Sequence, residues 1–385
     1  MAVGEVVRIE ALGARVEIVA APDTAQRLRR QWSRCAPPAA AQATGAAPAE
    51  QHDSDPDLTV DLTGSLSSED ADTVDYRVTT RVTRAAIASR AGERLLLHAA
   101  ALADPGTGRA VVLVAASGTG KTTAAATLGQ HLGYLTDETV TLDDAGGIEA
   151  YPKPLSTVID PANPYAKSQH SPDDLGLLPA PPRARAALLV VLDRDPSRDG
   201  SPALDDIGLI DALLAVIPQT SALPELDRPL LRLVDLIAAV GGARRLTYAE
   251  VAGTADLLTD ALSTATPVAA SVEHHPPRIR PTDLYAEPVR YPARELRSDT
   301  ELQRSAYVDA VQVDDEVLVL VGATPVRLTG LGATIWLACA SPQQLGALRT
   351  RCLAEHGPHP DAEALVVDAA QALLSYGLLS YDPLT

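Results

Sequence analysis

Residues 115–123 read Ala-Ala-Ser-Gly-Thr-Gly-Lys-Thr-Thr, directly after the apolar run Val111, Val112, Leu113 and Val114. The chemistry follows from the residue types. Gly118 and Gly120 let the backbone curl so that successive N–H groups face one point, a cradle for phosphate oxygens. A helix beginning near Lys121 adds the positive end of its dipole. Lys121 has the reach to meet the outer phosphates of a nucleotide, and the Thr122 hydroxyl is the kind of oxygen ligand that Mg2+ takes. Ser117, Thr119 and Thr123 complete the expected nucleotide-binding loop. The usual first glycine of such a loop is here Ala115, which the turn tolerates where φ is negative.

Lysine is scarce in this chain of 385 residues: Lys121, Lys153 and Lys167 are the three, against a Lys+Arg total of 32. One of them falls directly after Ser-Gly-Thr-Gly, which weighs for a phosphate loop over an alanine- and glycine-rich turn with a stray cation. Two further features would decide what the loop does. His98 lies in LLLHAAAL, on the strand before the loop strand, and Asp137-Glu138 follows Gly133-Tyr134-Leu135-Thr136 just past the loop helix. In a parallel sheet both would stand at strand ends near the phosphates. One carboxylate of such a pair can hold Mg2+ and the other can accept a hydroxyl proton. The plainer readings are a solvated turn for the acids and a core histidine for His98. Asp193, ending the run Ala-Leu-Leu-Val-Val-Leu, has a Walker-B shape, but apolar strands ending in aspartate are common. Arg244 and Arg245 could reach a phosphate, although paired arginines usually lie on the surface.

The elements that must position these groups divide the chain into four. Residues 1–91 show strand alternation at 6–9, 16–19, 58–62 and 74–78 and helical spacing at 24–32 and 80–90, an α+β segment with a low-complexity loop at 36–57. Residues 92–265 alternate strands and helices and end in three helices near 206–217, 229–240 and 248–264, with a proline-rich loop at 160–183. Residues 266–299 read as a linker, in which His274 and His275 lack a third metal ligand. Residues 300–385 open with a hairpin around Asp314-Asp315, add a third strand at 324–328 and continue with three helices, a winged-helix-like unit. The predicted fold class is α/β.

Charge and composition exclude several functions. The net charge of −18 divides as −3, −9, zero and −6 over the four segments, so none has the basic excess that nucleic acid or an anionic membrane surface would need. No apolar run is long enough for a spanning helix. The N-terminus has no basic start followed by an apolar core, so no signal peptide is expected. Cys35, Cys339 and Cys352 lack metal-ligand spacing and read as reduced, packed thiols, in keeping with a cytoplasmic protein.

The order HAAAL, SGTGKTT, GYLTDE and YPKPL resembles the HPr kinase/phosphorylase family, and more closely the HPr-kinase-related proteins of peptide-modification gene clusters. The resemblance covers about residues 76–265 and is specific through Tyr151. It implies an ATP- and Mg2+-dependent kinase that phosphorylates a hydroxyl, with Asp137 as general base and His98 orienting or assisting it. Glu138, in place of the family's second aspartate, would support Mg2+ with Thr122 and Asp137. Ring-shaped oligomers in that family raise a homo-oligomer as an expectation.

Residues 303–382, through LTGLGATIW at 328–336 and the ending SYGLLS, resemble the PqqD-like family, the RiPP recognition elements. Members bind the leader of a precursor peptide by adding it as a strand to a sheet edge. The resemblance implies docking along residues 324–328, with Val326, Arg327 and Leu328 as contacts, whereas Ile335 and Trp336 read as core. Joined, the two resemblances imply a Ser/Thr kinase acting on a ribosomally made precursor peptide whose leader the C-terminal unit captures. The alternative is a nucleotide-binding escort that delivers the leader to another enzyme.

Overall fold

The computed structural model describes residues 4–37, 55–63, 70–160 and 162–381. Most of the low-complexity stretch, residues 38–54, lies outside the described residues. The protein is mixed α/β with several separate sheets. Two units emerge: Met1–Ile207 with Gln219–Ser221 and Ala239–Pro267, and Gly208–Pro218 with Ala222–Ala238 and Val268–Thr385.

In the first unit, the apolar run before the glycine loop forms the strand Arg109–Val114, buried from its second residue onward. It pairs parallel with Ala184–Arg194, which pairs parallel with Ala243–Tyr248. On its other side it pairs antiparallel with Ala99–Ala103, which pairs antiparallel with Gly133–Thr136. The sheet is therefore mixed, not the parallel sheet expected around the loop. The cause is the connection at 104–108. Asp104 accepts the Thr107 N–H at 2.7 Å and closes a tight turn, and so short a link can join only antiparallel strands. The helix Lys121–Leu128 packs Ala124, Ala125 and Leu128 onto a core with Leu102, Leu113, Val190 and Leu246.

The apolar segment 95–103 around His98, read as the strand before the loop, does not form one strand. It splits at His98 into Leu95–Leu97, paired with Val140–Leu142, and Ala99–Ala103. His98 sits at this hand-over, its backbone N–H donated to the Gln219 carbonyl at 2.6 Å.

The N-terminal residues build their own three-stranded sheet, Glu5–Ala11, Ala14–Ala20 and Leu58–Asp61. Residues 74–78, expected as a strand, belong instead to the helix Ala71–Arg90. The Asp70 carboxylate caps it by accepting the Thr73 N–H at 2.9 Å, and Val74, Val78, Val82 and Ala86 bury one face. Their spacing of four outweighs the β-propensity of the valines and threonines. The expected loop at 160–183 also holds structure. Asn163–His170 pairs with Leu155–Asp160 as a hairpin, and Thr79 of the long helix donates to Gln169 Oε1 at 3.0 Å.

In the second unit a sheet runs Glu273–His275, Asp309–Val313, Glu316–Val321, Thr324–Leu328, followed by the helices Gly330–Ala338, Leu345–His356 and Ala362–Ser375. The first of these strands lies in the segment read as a linker. His274 Nε2 meets Asp309 Oδ1 at 2.6 Å, and His275 stands edge-on to Trp336. Ile335 and Trp336 are fully buried, as core residues should be. The helices Leu209–Val216 and Pro229–Ala239, assigned from sequence to 92–265, group with this unit except for Ala239. The Leu230 N–H reaches buried Asp309 at 2.9 Å. Thr324–Leu328 is an edge strand and carries Pro325. No helix among the described residues is long and apolar enough to cross a membrane.

Candidate functional site

The glycine loop turns as its sequence requires. Gly118 and Gly120 have φ of 83° and 100°, the left-handed region. A Cβ at either would meet nothing within 4 Å, so it is conformation and not space that selects glycine. Ala115 is buried and is not among the positive-φ residues, which is why alanine serves there. Lys121 folds back over the loop, its Nζ donating to the carbonyls of Ala115 at 2.7 Å and Ala116 at 3.3 Å. Burial lowers its pKa, and Asp137 and Glu138 pull the other way. The Thr119 hydroxyl donates to the Ala116 carbonyl at 2.9 Å, so it shapes the loop and does not line the cavity beneath it.

The acid pair follows the strand Gly133–Thr136. Both Asp137 oxygens are engaged: Oδ2 accepts from the Thr122 hydroxyl at 2.9 Å, and Oδ1 faces the Tyr134 hydroxyl at 3.0 Å and Lys153 Nζ at 2.9 Å. Lys153 Nζ also meets Glu138 Oε2 at 3.1 Å and donates to the Pro154 carbonyl at 3.0 Å. Its side chain is 1% exposed and that of Asp137 2%, whereas that of Glu138 is 35% exposed. Burial alone would lower the Lys153 pKa, but the two carboxylates outweigh it and raise it, so the ammonium keeps its charge. Burial, then the Asp137 charge, pushes the Tyr134 phenol well above its ordinary value.

These groups share one cavity of about 700 Å³, lined by Ser117, Gly118, Gly120, Lys121, Thr122, Thr123, His98, Asp137 and Glu138. Every predicted catalytic, metal and loop residue except Thr119 is there. Sequence reasoning assigned no role to further lining residues, Tyr76, Thr79 and Thr80 of the helix Ala71–Arg90 with Ser156, Thr157, Val158 and Lys167 of the hairpin. Lys167 Nζ lies 5.1 Å from the Tyr76 ring centroid. Lys153 lines the floor, so all three lysines of the chain meet in this cavity. The signal that could have found the two others is that scarcity itself.

His98 faces the same cavity. Burial and the Lys121 charge lower its pKa against the pull of Glu138 and Asp137, so the imidazole is neutral at pH 7. It was expected to orient or assist Asp137, whose direct side-chain contacts are Thr122, Tyr134 and Lys153. The Ala99 N–H accepted by the Glu138 carbonyl at 3.1 Å instead sets His98 beside Glu138 in the backbone.

The donor set fits Mg2+. Thr122 Oγ1 and Asp137 Oδ2 lie together, with Glu138 adjacent. No group of three or more His, Cys, Asp or Glu that could cage a metal occurs among the described residues. An ion here would draw its remaining ligands from water and phosphate oxygens, the usual habit of Mg2+.

The weaker sequence candidates lie elsewhere. Asp193 is exposed and sits 3.8 Å from Arg245, and Arg244 pairs with Asp206 at 3.0 Å. None of the four lines the cavity. In the second unit, Leu328 is buried in the core and Val326 packs against it. Arg327 is held by Asp211 at 3.0 Å and Glu316 at 2.6 Å. Comparison with models of known families and with curated proteins finds no match for this chain.

Proposed function

We propose that the first unit is a P-loop kinase of the HPr-kinase-like kind, using ATP and Mg2+ to phosphorylate a serine or threonine hydroxyl. The observation that carries this reading is the convergence of the glycine loop, an Asp-Glu pair, a neutral histidine and every lysine of the chain on one cavity. The loop N–H groups and Lys121 hold the outer phosphates. Thr122 and Asp137 would hold Mg2+, which would neutralise charge on the phosphates. The hydroxyl oxygen attacks the γ-phosphorus, the bond to the β–γ bridging oxygen breaks, and ADP leaves. With Oδ1 of Asp137 held by Tyr134 and Lys153 and Oδ2 given over to Mg2+ beside Thr122, the hydroxyl proton passes to Glu138 or His98, which also line the cavity.

The second unit we read as a PqqD-like, winged-helix-like recognition element for the leader of a ribosomally made precursor peptide. Support comes from the edge strand Thr324–Leu328 after a hairpin and before three helices. Since Leu328 and Arg327 are committed to other contacts, capture rests on the backbone of that edge. Tethering raises the effective concentration of the acceptor at the kinase site. A cytoplasmic location accords with the buried, unpaired Cys35, Cys339 and Cys352.

The test is to incubate the chain with ATP, Mg2+ and candidate leader-bearing precursor peptides that contain serine or threonine, and to weigh the product. One added phosphate is expected, and at least a hundredfold loss of rate in Glu138→Gln, in line with roughly 10²–10⁴ for general-base catalysis. Nucleotide and leader binding without any transfer would instead establish the escort reading.

A further inference from the structure

We propose that Lys153 is a resident cation standing in for a second divalent ion, so that the site takes one metal per nucleotide. The inference rests on the reading that this cavity binds a nucleotide with a divalent cation.

Two adjacent carboxylates beneath a phosphate loop could be bridged by paired metal ions, the arrangement of two-metal phosphoryl-transfer sites. Here the bridging place is taken. Lys153 Nζ lies 2.9 Å from Asp137 Oδ1 and 3.1 Å from Glu138 Oε2, and donates to the Pro154 carbonyl. An ammonium has three N–H donors, and these three acceptors match them. What remains of Asp137 is Oδ2, beside the Thr122 hydroxyl at 2.9 Å. The pair therefore has one side closed by a fixed charge and one side left for a metal.

The residue type agrees. This chain uses arginine almost everywhere it needs a cation. A guanidinium is a planar fork, whereas an ammonium is a compact point charge that can sit between two carboxylates as a metal ion does. The charge balance agrees too. Lys153 offsets one of the two carboxylates, so a single divalent ion leaves the floor positive toward the phosphates. Without Lys153 the same two carboxylates would nearly cancel that ion and favour a second. Lys153 is thus a positioning residue: it fixes Asp137 and Glu138, and so fixes how many metals they accept.

The experiment counts bound Mn2+ by electron paramagnetic resonance on the full chain with saturating ADP. Wild type is expected to hold one ion. Lys153→Met keeps the length of the side chain without its charge and is expected to hold two. Its second ion should bind at least about tenfold more tightly than any second ion on wild type, the scale of second-shell effects on metal affinity. Lys153→Met/Glu138→Gln restores the net charge and should return to one, and it keeps the count measurable if the single variant does not fold. Two ions on wild type, two on the double variant, or a single ion on ADP-bound Lys153→Met overturns the proposal. If wild type binds no ADP, the nucleotide reading fails first, and that failure is seen before any metal is counted.

Discussion

A lysine is costly to bury, because its charge loses water. Lys153 is buried nonetheless, and what repays the loss is two carboxylates that would themselves be unpaired without it. His98 shows the opposite balance. Burial and Lys121 hold it below the ordinary histidine value, so it is neutral in the native protein at pH 7 and gains a proton only in acid. Because its folded value is depressed, the stability linked to His98 is complete above about pH 6.5 and is lost as pH falls. Phosphoryl transfer should follow the same sign. We expect the acid limb of the rate profile to lie below the ordinary histidine range, and His98→Gln to lose that limb. An unchanged profile in His98→Gln would remove His98 from the chemistry. At this scale the sequence was informative where function needs adjacent residues: Ser117 to Thr123, and Asp137 with Glu138. For Lys153 and Lys167 it offered only their scarcity and no role, because the carboxylates and the ring they meet are 15 or more positions away and only folding brings them together.

Elements decide what those residues meet. The helix Ala71–Arg90 and the hairpin Leu155–Asp160/Asn163–His170 both line the cavity, yet the sequence reads as a strand over 74–78 of the first and as a loop over the Asn163–His170 strand of the second. The valines and threonines of the helix have strand propensity, and the prolines near the hairpin mask its alternation. Register gives the edge strand a sharper prediction. Pro325 has no N–H, so its pair with Leu320 cannot be a hydrogen-bonded one. The hydrogen-bonded pairs are then Thr324, Val326 and Leu328 with Val321, Val319 and Val317, which turns the Arg327 N–H outward. Arg327→Pro removes that donor and keeps Val326 in the extended geometry it already has. Leader affinity, read by fluorescence anisotropy of a labelled leader, should fall about tenfold, one hydrogen bond's worth. Arg327→Ala loses the ion pairs but keeps the N–H and should bind nearly as wild type. Equal affinity of the two variants would refute edge pairing.

For the whole molecule, ligand binding must appear as stability. ADP with Mg2+ at about a hundred times its Kd should add about 2.7 kcal/mol to the unit that binds it. For a unit of this size that raises Tm by roughly 5–11 °C in scanning calorimetry. An unmoved trace would argue against a nucleotide site. The division of the chain was only partly legible. The helices Leu209–Val216 and Pro229–Ala239 follow the strands around the glycine loop in sequence, and their periodicity says that they are amphipathic without saying which sheet they cover. Long-range contacts such as Leu230 to Asp309 settle that, and they have no local signature.

Pro325 has a consequence for the edge strand itself. An open strand edge is a template on which any other extended chain can aggregate, including a second copy of the same protein. Over Thr324–Leu328 the proline leaves Arg327 as the outward donor, too few for two copies to zip together edge to edge. The strand's own sequence thereby works against edge-to-edge growth, so that an open edge need not become the seed of a fibril.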